Sequence, residues 1–166
     1  MLIRPETAQD LTAIRAITTS AFFGRIHGTG KEYLLVEALR DAGALSVSLV
    51  AEAHGKVIGH IGFSPVTINS KECGWFGLAP LSVSPEMQRQ GIGRALVHEG
   101  LGALRKIGAH GCVVLGDRQY YAHFGFHPCA ELRLEGVPPE YFMAQSFGAA
   151  VPHGRVDYHP AFDLCA

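Results

Sequence analysis

The chain has 166 residues, 48% of them hydrophobic, and its 14 Lys and Arg against 15 Asp and Glu give a formal charge of −1. This length and apolar content suit one domain with a buried core, so a single unit over residues 1–166 is expected. No apolar run approaches the roughly 18 residues of a membrane span, the start "MLIRPETAQD" lacks the apolar stretch of a secretory signal, and no basic run offers a footprint for nucleic acid, so a cytoplasmic protein that binds neither membrane nor nucleic acid is expected.

"LIRPE" predicts a short first strand, and Asp10 then caps a helix through "LTAIRAITTSAF", where Leu11, Ile14 and Ile17 recur at helical spacing. The glycine-rich loop "GRIHGTG" leads to a second helix, "KEYLLVEALRDAG", with Leu35 and Leu39 on its apolar face and Gly43 as its stop. "LSVSLVAEA" and "KVIGHIGFSPVTI" read as two strands joined by a tight turn at His54-Gly55, and "WFGLAPLSV" as a third. A long helix follows from about Gly91 to Ile107, with Leu96, Val97, Leu101 and Leu104 on one side, and Gly108 ends it. The wholly apolar "GCVVL" predicts a strand buried on both faces. "DRQYYAHF" predicts a brief helix capped by Asp117 and ended by Gly125, and strands are expected near "FMAQSF" and "GRVDYH". A strand, a helix of about sixteen residues and a buried strand make one right-handed βαβ unit with its strands parallel. The fold class expected is mixed α/β, one sheet flanked by helices, with the remaining strands antiparallel.

Cys73, Cys112, Cys129 and Cys165 stand singly, without a C-x-x-C pair, so neither a disulfide framework nor a zinc site is expected. His123 and His127 are four apart, yet Gly125 between them ends the helix, so the two rings need not share a face. No metal is expected.

The join "SPEMQRQGIGRALV" carries two glycines at the first turn of the long helix, where they weaken it. The first N–H groups of a helix have no internal partner, and the aligned peptides place about half a positive charge there. Gly91 and Gly93 clear the approach of a bulky anion, and Arg89 and Arg94 add full charges, so phosphate or pyrophosphate is the fitting guest; a tight strand-to-helix turn would use the same glycines. A dinucleotide fingerprint is excluded by Leu96, which stands where Gly or Ala is needed, and "GRIHGTGKE" has the wrong spacing for a Walker A loop.

Q-x-x-G-x-G, as Gln88, Gly91 and Gly93 after a strand ending in "PLSV", together with "YYAHFGF" after the next strand, resembles the GNAT superfamily of acyl-CoA-dependent N-acyltransferases. "LIRPETAQDLTAI" is similar to that family's opening strand and helix. "EYLLVEALR", "LGDRQYYAHFGF" and "VDYHPAF" resemble its YhbS-like bacterial subgroup. The resemblance implies a GNAT fold in which the fourth and fifth strands, parallel, splay to receive acetyl-CoA or another acyl-CoA. It implies that the pantetheine arm lies along Leu81, Ser82 and Val83, and that the pyrophosphate lies on the turn formed by Gln88, Arg89, Gln90, Gly91, Ile92, Gly93 and Arg94. The Val83 N–H then serves as the oxyanion donor, and Tyr121, four residues before Gly125, as the general acid, with Tyr120 competing for that role.

Many relatives place a base on the strand before the glycine turn, but "WFGLAPLSV" holds no carboxylate. Glu32 is the first substitute, with His60 and Ser64 behind it. The activity implied is direct transfer of an acetyl or other acyl group to a primary amine of a small molecule or protein, by a monomer or homodimer. The alternative is a non-catalytic acyl-CoA sensor, which the missing carboxylate favours; a nucleotide-dependent protein built on "GTGK" is a third, weaker reading.

Overall fold

Two strands, β2 (Val47–Ala53) and β3 (Lys56–Ile68), fold back on each other at His54 and Gly55, whose φ angles of 51° and 74° are both left-handed, as a two-residue hairpin turn requires. β4 (Lys71–Val83) repeats the device through Asn69 and Ser70, at φ 51° and 64°, and so begins before the Trp75 that opens its apolar run. The sequence hides this second hairpin because no glycine marks it. Its asparagine is held from the tail, donating to the His153 carbonyl (2.8 Å) and accepting from the Arg155 N–H (3.2 Å).

The computed structural model describes residues 1–165. Around these strands stand β1 (Leu2–Pro5), α1 (Leu11–Phe22), α2 (Glu32–Asp41), α3 (Ile92–Lys106), β5 (Gly111–Leu115), α4 (Arg118–Ala122), β6 (His127–Pro128), β7 (Leu132–Arg133), β8 (Phe142–Ser146) and β9 (Gly154–Asp157). The two-residue strands β6 and β7 are too short to leave a periodic signal. Asp10 is a correction: it does not cap α1 through its side chain, but accepts from the Thr7 N–H (2.7 Å) within a 3-10 turn and is gripped by Arg4 at 2.8 and 3.0 Å. Leu11 faces outward, while Ile14 and Ile17 are buried as expected.

The sheet runs β1-β2-β3-β4-β5-β8-β6, antiparallel along this path except for β4 and β5; β9 joins the end of β3 antiparallel and carries β7 in parallel. That parallel pairing covers only Trp75–Gly77 against Gly111–Val113; beyond it β4 runs on to Val83 beside β3 alone. An extra residue in β4 between the partners of Ile61 and Phe63 helps bend the strand away. The strands therefore part above Gly77 and leave an open wedge in the sheet.

One face of the sheet packs on α3, whose Leu96, Val97, Leu101 and Leu104 meet Ile61, Phe63 and Leu78. The other face is covered by α1 and α2, through Ile14 and Val36 on Val50, and by the tail, through Val156 near Trp75 and Val113. Alternation along β3 assigns its residues: Gly59, Ile61 and Phe63 look to α3, and His60, Gly62 and Ser64 to the opposite face.

Candidate active site

The join after β4 is a tight turn in which Arg89 (φ 63°) and Gly91 (φ 85°) are both left-handed, and Gly91 is the N-cap of α3. The first helical bond runs from the Ala95 N–H to the Gly91 carbonyl (3.0 Å), so the N–H groups of Ile92, Gly93 and Arg94 have no partner inside the helix. A Cβ on Gly91 would touch nothing within 4 Å, so the backbone angle, and not protein packing, calls for glycine there. A Cβ on Gly93 would lie 3.0 Å from the Tyr120 hydroxyl. That phenol therefore lies against the first turn of the helix.

Gln88 ties the turn to the strand by donating to the Val83 carbonyl (3.0 Å), and it accepts from Arg25 Nη2 (3.0 Å) in the loop after α1. Because the Ser84 N–H donates to the Ile58 carbonyl (2.9 Å), Val83 and Gly59 form a non-hydrogen-bonded pair, and the Val83 N–H points away from β3 into the wedge. A cavity of about 990 Å³ opens between the end of α1, the loop Arg25–Gly28, the end of β4, the turn and Tyr120. Among the described residues its walls carry Arg25, Arg89 and Arg94 and no carboxylate.

Of the residues the sequence singles out, Leu81, Val83, Gln88, Arg89, Gly91, Ile92, Gly93 and Arg94 line this one cavity. Ser82, Gln90, Tyr121 and Glu32 do not. Ser82 is buried and looks to the other face of the sheet, and the Gln90 side chain turns back to the Glu86 carbonyl (3.4 Å). Arg25 is the addition: a glycine-rich loop gives no motif by which a cavity-facing arginine could be recognised.

Asp117 caps α4 by accepting from the Tyr120 N–H (3.0 Å), and the rings of Tyr120 and Tyr121 stand edge to face, 5.0 Å apart. The two phenols then part. Tyr120 reaches α3, whereas Tyr121 packs on Phe126 (5.9 Å) and lies over Gly116 at the end of β5, where a Cβ would be 2.7 Å from its ring. Burial, with smaller contributions from Tyr120 and Cys112, raises the Tyr121 phenol well above its ordinary pKa; burial also raises Tyr120, with Arg94 opposing. Both hydroxyls stay protonated at neutral pH.

Glu32 is occupied elsewhere: its carboxylate accepts from the Thr29 N–H (2.9 Å), the Thr29 hydroxyl (2.6 Å) and the Gly30 N–H (3.1 Å). Burial works to raise its pKa, but these bonds outweigh it and hold the group below the usual Glu range. It fixes the loop at the start of α2. His60 and Ser64 are fully buried on the face away from α3, and burial lowers the His60 imidazole to about 4.

The family model for an acetyltransferase (GNAT) domain matches residues 44–128. The uncharacterized N-acetyltransferase YhbS of Escherichia coli K12 is 40% identical over 170 residues, which cover 98% of this chain and 99% of that protein. The uncharacterized N-acetyltransferase YjhQ of the same organism is 38% identical over 136 residues, or 80% of this chain and 71% of that one. Among solved structures, a GNAT family acetyltransferase from Brucella melitensis in complex with acetyl-CoA superposes with a TM-score of 0.88 at 48% identity, covering 98% of this chain and 97% of that one. YhbS from Escherichia coli in complex with CoA gives 0.88 at 35% identity, covering 98% and 91%.

Proposed function

The chain belongs to the GNAT acetyltransferase family, and from that premise we propose that it transfers an acetyl group from acetyl-CoA to a primary amine of a small molecule or protein. The observation that carries this reading is the α3 turn, where unpaired backbone N–H groups open onto a cavity walled by three arginines and no acid. Pyrophosphate fits there because it needs many short-range donors and positive charge, and the Cβ-free Gly91 permits its approach. The related structures holding acetyl-CoA and CoA support the same guest.

The pantetheine arm lies in the wedge beside Leu81 and Val83, pairing with the backbone that β4 no longer shares with β5. The Val83 N–H, free of β3, donates to the carbonyl oxygen as the amine adds and the oxyanion forms. Collapse of the adduct breaks the C–S bond, and Tyr121, beside β5 at the wedge, gives its phenolic proton to the departing thiolate. Tyr120 serves at the mouth, against the helix turn. Glu32 takes no part, since its lone pairs are spent on the loop.

Calorimetry with acetyl-CoA, followed by thiol release across a panel of primary amines, tests the proposal. Micromolar binding and amine-dependent thiol release are expected. Tight binding without release for any amine would instead make the protein an acyl-CoA sensor.

A further inference from the structure

The buried side-chain N and O atoms that lack a hydrogen-bond partner among the described residues are His60 Nδ1, Ser64 Oγ, Ser82 Oγ and Tyr158 Oη. They share one face of the sheet. His60 pairs in register with Ser82 and Ser64 with Gly77, and a Cβ on Gly77 would run into the Tyr158 ring. This is the face opposite α3, and it reaches from Ser82, next to the end of β4, to Gly77, where the wedge begins. Buried polar atoms in a folded protein have partners, so a row of unpartnered ones on a single face marks where water or a polar ligand belongs.

The far side of His60 is fully defined. Glu6 receives Arg40 through two bonds (2.8 and 3.1 Å), and it also receives the Ser48 hydroxyl. Burial alone would raise the Glu6 pKa, but Arg40 and Ser48 hold it below the usual range, so it is an ionised, accept-only carboxylate. Ser48 must therefore give it the hydroxyl proton, which leaves Ser48 Oγ to accept from His60 Nε2 at 2.8 Å. The imidazole is thus the Nε2–H tautomer, which leaves a bare lone pair at Nδ1, one of the unpartnered atoms of the row. The charged groups acting on the ring are Glu6, which favours its protonation, and Arg40, which opposes it.

We propose that His60, oriented by Ser48 and Glu6, is the proton acceptor for the incoming amine, reached through water held at the Ser82 hydroxyl. This rests on the acetyl-transfer reading and supplies the base that β4 and Glu32 do not. The acceptor arrives as an ammonium ion on the face of Ser82 and Tyr158. One of its protons passes through a water held between the Ser82 hydroxyl and Nδ1 to the imidazole, and the Nε2–H stays on Ser48. The free amine then forms the C–N bond, and the C–S bond breaks as the adduct collapses. A second amine proton leaves with the thiolate by way of Tyr121, and the imidazolium releases its proton to solvent. The Glu6 carboxylate behind Ser48 favours the charge that the ring gains. Ser48 and Glu6 are positioning residues.

Two small nucleophiles, methylamine and hydroxylamine, test the assignment without a known acceptor. At neutral pH methylamine is protonated and needs a base, while hydroxylamine is largely unprotonated and does not. His60→Gln and the smaller lesion Ser48→Ala should each lower methylamine-dependent thiol release by about tenfold or more, and lower hydroxylamine-dependent release by less than about threefold. Ser48→Thr, which keeps the hydroxyl, should restore the methylamine rate. Long-range ¹⁵N–¹H spectra of the parent should show His60 protonated at Nε2 alone. Equal losses with both nucleophiles, an unchanged methylamine rate, or a proton at Nδ1 would overturn the proposal. Acetyl-CoA affinity stays near that of the parent in every variant; a parent that does not bind acetyl-CoA fails the acetyl-transfer reading instead.

Discussion

Tyr120 and Tyr121 are neighbours in sequence, yet their side chains lie against different elements. Tyr120 lies against Gly93, at the first turn of α3, and Tyr121 against Gly116, beside the strand that opens the wedge. Tyr121→Phe keeps the ring contact with Phe126 and removes only the hydroxyl proposed as the proton donor. Its kcat should fall by about 10²–10⁴-fold with acetyl-CoA affinity unchanged. Tyr120→Phe should weaken acetyl-CoA binding and leave kcat within a few fold. Steady-state kinetics with calorimetry on both variants separates the roles, and a reversal of the two patterns would make Tyr120 the acid. The spacing to Gly125 was legible as a motif, but spacing does not say which of two adjacent rings faces a cavity. One residue along a short helix rotates a side chain by about 100°, and packing decides the rest.

At the scale of the element, α3 combines two opposed demands on glycine. A Cβ at Gly100 would meet the Phe63 ring, whereas one at Gly102 would meet nothing within 4 Å. Gly102→Ala should therefore stabilise the protein by up to about 1 kcal/mol through helix propensity. Gly100→Ala has the same propensity gain but overpacks the α3–β3 interface, for a net loss on the order of 1 kcal/mol. Denaturant midpoints of the two variants should move in opposite directions. Helix α3 itself was readable from Leu96, Val97, Leu101 and Leu104, because a 3.6-residue period needs only local sequence. The Asn69–Ser70 hairpin was not, since its left-handed angles rely on contacts with His153 and Arg155 far along the chain.

Over the whole molecule the formal charge is −1, while the cavity gathers Arg25, Arg89 and Arg94 with no acid among its walls. Binding of acetyl-CoA should depend on this local field. At a ligand concentration of 100 Kd the native state should gain about 2.7 kcal/mol, seen as a rise in melting temperature. Raising the salt concentration should weaken binding, and Arg94→Ala should flatten that salt dependence, because screening acts on exposed charges and less on backbone donors. Calorimetry at two ionic strengths measures both effects. Arg25 joins the other two arginines only because the loop after α1 folds over the turn and bonds to Gln88.

By itself the sequence determined the order of the main strands and helices, the glycine turn ahead of α3 and the family to which they belong. These are local features: a hydrophobic period, a turn residue at positive φ, a motif a few residues long. Tertiary structure alone decided that Glu32 spends its lone pairs on Thr29 and Gly30, that Asp10 answers Arg4 instead of capping α1, and that His60 stands with Ser48 and Glu6. A side chain's lone pairs and pKa depend on which distant segments are brought within about 3 Å of it, and only the folded sheet sets that distance.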